Sequence, residues 1–121
     1  MKKSLTVALM VIMLSPALAA PALAHEGHAC EHDMLTVESL QHCVQHALAE
    51  GHIDSEGVAN SLLAELTAAQ AALDRGQTPV AVQLLRAFVA EVKAQAGKHI
   101  VAEHAAHLIE HAQMVIQELR K

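Results

Sequence analysis

The 121-residue chain contains no Trp, no Tyr and a single Phe, Phe88. Sites that stack sugars or bases are built from ring faces, so such platforms are excluded. Basic residues are scarce: eight Lys and Arg stand against 13 acids, for a net charge of −5 with His neutral. A basic face for nucleic-acid phosphates is therefore not expected. Catalytic signatures are missing as well. There is no Ser flanked by glycines at a nucleophile elbow, no Gly-rich phosphate loop and no H-E-x-x-H string, so the sequence does not read as an enzyme. Period-two alternation is absent, which removes the usual signal for strands. The two cysteines, Cys30 and Cys43, match no named zinc-motif spacing.

What is present begins with a leader. Lys2 and Lys3 precede an apolar run from Leu5 to Leu14, and Ala22 and Ala24 supply the small residues of a cleavage site. This pattern predicts a secretory signal peptide over residues 1–24, with an earlier exit offered at Ala17-Leu18-Ala19. The run is short for a membrane span, and no later stretch is long enough, so the mature chain is expected to be periplasmic or secreted without a membrane span. Losing Lys2 and Lys3 leaves six basic residues against the 13 acids, a net charge of −7. Such a surface attracts cations.

Residues 25–34, HEGHACEHDM, are too polar and too Gly-interrupted to hold a helix and read as a flexible tail. Residues 35–121 carry four helical patterns. In the first, Thr36 is expected to cap with Ser39 or Glu38 answering it, while Val37, Leu40, Val44, Ala47 and Leu48 form the apolar face. After Glu50-Gly51, Asp54 is expected to cap the second helix, with Ile53 stapling to Val58. The second and third patterns form a hairpin. Val58, Leu62, Leu66, Ala69 and Leu73 lie on one helix, and Ala81, Leu85, Phe88, Val92 and Ala96 lie on the other. Arg75-Gly76 ends the first of these, then Thr78 and Pro79 open the next. The fourth helix follows Gly97-Lys98-His99-Ile100 and is lined by Val101, Ala105, Leu108, Ala112, Val115 and Leu119. Short connections between four helices predict an all-α, up-and-down four-helix bundle.

Several of these pieces are similar to one family. They are Gly57-Val58-Ala59-Asn60-Ser61-Leu62-Leu63, Ala72-Leu73 followed by Arg75-Gly76, Leu85 with Ala87-Phe88 and Val92, Gly97-Lys98-His99-Ile100, and Leu108-Ile109 with Ala112-Gln113. The chain from Leu35 to about Leu119 resembles the FIMAH domain, a small all-helical module of exported bacterial proteins. The resemblance rests on core positions and caps. It implies a binding or spacer module, because the domain usually accompanies catalytic or adhesive domains and has no active site assigned to it.

Most of the ten histidines are the chain's own departure from the pattern that the resemblance implies, to which only His99 belongs. His25, His28 and His32 lie in the tail, and His42 and His46 lie four apart on the first helix. His104, His107 and His111 fall on one flank of the fourth helix's apolar stripe. Residues four apart on a helix stand about 6 Å from each other and can pinch one metal ion. These eight residues are therefore the candidate ligands for zinc, copper or nickel, with Glu103 and Glu110 near enough to assist. Met34 and Met114 read as packing. The plain alternative is a flank that tolerates His, in a protein-interaction or structural module without metal whose imidazoles are incidental or tune a response to pH. A protein partner in the cell envelope belongs to that alternative.

In an oxidising compartment Cys30 and Cys43 are expected to form a disulfide, closing a loop of about a dozen residues and stabilising by roughly 3 kcal/mol on the chain-entropy model. The competing expectation keeps both thiols as soft ligands, Cys30 beside His28 and His32 or Cys43 beside His46, suited to Zn²⁺ or Cu⁺.

Overall fold

A computed structural model of the protein describes residues 34–121. Four helices account for nearly all of that span: α1 (Val37–Ala49), α2 (Glu56–Asp74), α3 (Thr78–Gln95) and α4 (Ala102–Leu119). Among the described residues there is no strand, only isolated bridges that join Ile100 to Ile53 and to Ala96. No helix among them is long and apolar enough to cross a membrane. The signal peptide, the tail histidines His25, His28 and His32, and Cys30 lie outside the described residues.

Each helix packs on its sequence neighbour, and α1 also packs on α4, so the bundle closes around one core. Leu40, Val44, Leu62, Leu66, Leu85, Phe88, Val92, Leu108 and Val115 are fully shielded from solvent within it. Phe88 is the largest of these side chains. The faces assigned from periodicity are correct at their centres and drift at their ends. Ala59 and Ala72 are buried where Val58 and Leu73 were expected, and Val101 is half-exposed as the residue before α4. This drift follows from the helical period, which rotates an apolar stripe gradually around the axis.

The helix boundaries also correct some of the sequence assignments. Thr36 caps α1 in a complete capping box with Ser39, as the sequence suggested. Ser55, not Asp54, caps α2, its hydroxyl accepting from the Val58 amide at 3.2 Å. Asp54 is engaged elsewhere: its carboxylate meets His99 Nδ1 at 2.8 Å. Ile53 is buried and bridges to Ile100. At α3 the capping position is Gln77, with no side-chain bond, and Thr78 and Pro79 already lie inside the helix. Gly51, Gly76 and Gly97 follow the first three helices at φ of 81°, 72° and 76°, the left-handed conformation in which a β-carbon is penalised.

One consequence of these turns positions the candidate site. The α1–α2 connection and the α3–α4 connection lie side by side, bound by Asp54 N–H to the His99 carbonyl at 3.0 Å and Val101 N–H to the His52 carbonyl at 2.9 Å. Two loops far apart in sequence thus form one stitched end of the bundle.

Candidate functional site

Imidazoles gather at that stitched end. His52, from the α1–α2 connection, stacks on His104 of the first turn of α4, with ring centroids 4.1 Å apart and planes 15° from parallel. His107, one turn further along, meets His104 edge-on at 6.4 Å and 77°. His46, in the last turn of α1, lies close enough to act electrostatically on His104. Burial first, then the neighbouring His52, His107 and His46, lower the pKa of His104, while Glu103 pulls it the other way. His104 is consequently held neutral further into mild acid than an ordinary histidine, with a lone pair available.

His46 makes only a long approach to Glu50, 3.7 Å from Nε2 to the carboxylate. Its Nδ1 is shielded from solvent and has no hydrogen-bond partner among the described residues. His42 is exposed, so the pair expected at four-residue spacing is split, with one ring in solvent and the other turned toward the loop end. His99 is taken up by Asp54.

His111 corrects the proposed trio. The sequence grouped it with His104 and His107, yet it is fully buried against α1. Its Nε2 lies 3.0 Å from Ser39 Oγ and 3.1 Å from the Met34 carbonyl, and its Nδ1 lies 3.7 Å from Cys43 Sγ. The physical reason is rotational. A residue on the flank of an apolar stripe is interior when the neighbouring helix packs over that flank, and α1 does so here. The same contacts place the start of α1 beside His111 in the middle of α4.

His52 was missed altogether by sequence reasoning. No periodicity marks a turn residue, and its partnership with His104 depends on two loops pairing across the bundle end. Among the described residues no three His, Cys, Asp or Glu side chains are grouped so as to hold a metal ion. The two nearest rings meet face to face. Nor is any cysteine free among those residues, Cys43 included.

A profile of the FIMAH domain matches residues 37–117. The chain belongs to the FIMAH domain family. The matched span takes in α1, α2, α3 and nearly all of α4, so the FIMAH domain is the helical bundle itself. The loop-end imidazoles His46, His52, His104 and His107 lie inside the FIMAH span, whereas His25, His28 and His32 precede it. No curated protein and no solved structure matches the chain.

Proposed function

We propose that this FIMAH protein is an exported, non-enzymatic helical module, folded as an up-and-down bundle, that captures a divalent late first-row metal ion, zinc, copper or nickel, at its stitched loop end. The observation that carries this reading is the contact between His52 and His104. It joins an imidazole of the α1–α2 connection to one in the first turn of α4, with His107 and His46 beside them. Capture needs the rings to turn about their side-chain torsions, so that nitrogens rather than faces converge. His107 is exposed, with its ring edge-on to that of His104. The acidic balance of the chain raises the local concentration of cations. His42 and His111 drop out of the ligand set, while His25, His28 and His32 remain candidates from the tail. A periplasmic or secreted location follows from the leader pattern of residues 1–24.

A disulfide between Cys30 and Cys43 belongs to the same reading, supported by the absence of a free cysteine among the described residues and by Cys30 being the only other cysteine of the chain. Such a bridge would hold the tail histidines near α1. Mass spectrometry after alkylation, with and without reduction, tests it.

A second reading is favoured by the face-to-face packing of the rings: an interaction module that binds no metal. Thermal melts and calorimetry with Zn²⁺, Cu²⁺ and Ni²⁺ separate the two. If metal binds, the melting temperature rises by mass action, and the paired change His52→Ala with His104→Ala removes the rise, whereas His42→Ala leaves it intact. Absence of binding heat with all three ions at neutral pH defeats the metal reading and leaves the interaction module.

A further inference from the structure

Only six Lys and Arg lie among the described residues, and three of them, Arg86, Lys93 and Arg120, rim one groove between α3 and α4. The groove encloses about 460 Å³ over a floor that includes Val89 and Ile116, and no carboxylate lines it. A second hollow of about 360 Å³ shares Arg86 and Arg120 and continues the path toward Thr78 and Pro79. All three cations are exposed, and none takes part in an ion pair among the described residues. In a chain where acids outnumber bases, an acid-free strip holding half of these cations is a local reversal of charge.

We propose that this groove is a docking site for an acidic segment of a protein partner. The choice of partner follows from charge and from area. Val89 and Ile116 are each only 8% exposed, so an aliphatic ligand would find little apolar surface to cover. A nucleic acid would bring a long run of phosphates against a chain whose overall charge is negative, so attraction in the groove would be opposed everywhere else. A short acidic peptide meets only the reversed strip. Arg86 and Lys93 are seven residues apart on α3, about 10 Å along its axis at 1.5 Å per residue. Carboxylates two turns apart on one face of a helix have the same spacing. Arg120, following the last turn of α4, supplies the third contact from the opposite wall. Two of the three cations are guanidinium groups, whose planar forks can donate two parallel hydrogen bonds to one carboxylate. The imidazole end of the bundle contributes no residue to this groove, so the inference is independent of metal capture.

The test uses a fluorescein-labelled synthetic helical peptide with Glu at positions i, i+4 and i+7 beside an Ala strip, and an analogue with Gln at those positions. Fluorescence anisotropy is recorded with the full mature chain in the presence of a chelator. The Glu peptide is expected to bind, and to bind more weakly as salt rises, because the contact is between exposed charges. The double variant Arg86→Glu with Arg120→Glu should raise Kd by about tenfold or more, whereas Arg75→Glu, a cation outside the groove, should change it by less than about twofold. Circular dichroism establishes that the variants keep their helices. Three results would each overturn the inference: no binding of the Glu peptide, equal binding of the Glu and Gln peptides, or a Kd unchanged by reversal of Arg86 and Arg120.

Discussion

His111 and Cys43, 68 residues apart in sequence, meet inside the bundle with Nδ1 of the imidazole 3.7 Å from the sulfur. The opposite ring nitrogen faces the Met34 carbonyl, which can only accept, so the proton resides on Nε2 and serves both that carbonyl and Ser39 Oγ. His111 therefore ties the entry of α1 to the middle of α4. Replacing it by Leu keeps the volume but removes one part-buried donor from the Met34 carbonyl and the Ser39 hydroxyl. A loss of about 1–3 kcal/mol is expected, read as a lower urea midpoint with an unchanged slope. A metal response that survives His111→Leu while the fold weakens would mark this histidine as structural.

Phe88 is the chain's only Phe, Tyr or Trp and is wholly enclosed. With no second Phe, Tyr or Trp in the chain to fill the space, Phe88→Ala should cost about 3–5 kcal/mol, a large share of the stability of so small a domain. Phe88→Leu, which leaves a smaller void, should cost markedly less. Paired thermal melts of the two variants check the order, and equal losses would mean that the core collapses freely around the site.

The fold was legible because its signals are local. Apolar residues at helical spacing, Thr36 before α1 and Gly76 after α2 each state their role within a few positions. The candidate site was not, because it is built from long-range pairings. The meeting of His52 with His104 depends on Val101 N–H binding the His52 carbonyl, and nothing near either residue encodes that. His111 shows the same limit from the other side. Its angular position on α4 was correctly placed beside Leu108, but whether that flank is surface or interior depended on which neighbour packs over it. Asp54 and Ser55 were both chemically able to cap α2, and the choice went to Ser55 because His99 holds Asp54.

Gly76 and Gly57 should answer the same substitution in opposite directions. A β-carbon at Gly76 would meet nothing within 4 Å, yet the residue sits at φ 72°, so Gly76→Ala is expected to cost about 1–2 kcal/mol through backbone strain alone. Gly57 lies in the first turn of α2, where an added β-carbon meets only Ser55 Oγ, at 3.7 Å. Gly57→Ala removes unfolded-state freedom and should stabilise by about 0.4–1 kcal/mol. Chemical denaturation of both variants tests the contrast. Destabilisation at Gly57 would indicate that this face of the first turn is occupied by something in solution.

Glu65 makes stability depend on pH with a definite sign. Its Oε2 is shielded from solvent without a hydrogen-bond partner among the described residues, and burial together with the charge of Glu91 pushes its pKa up from 4.5 to about 7. Glu91 meanwhile accepts from Ser61 Oγ at 3.0 Å. Because the folded pKa lies above the unfolded one, the folded chain binds more protons at Glu65 between those two values. Its contribution is therefore fully present below pH 4.5 and is lost as pH rises through 7. Glu65→Gln removes the ionisation and keeps the shape, so the variant should gain on the wild type progressively from about pH 5 to pH 7 and hold that gain at pH 8. The rest of Glu65 is open enough to water to keep the difference modest. Melting curves of both proteins across that range provide the measurement. A constant offset between them, or a gap that narrows with rising pH, would mean that Glu65 is ionised at an ordinary carboxylate pKa and that its approach to Glu91 is relaxed by solvent.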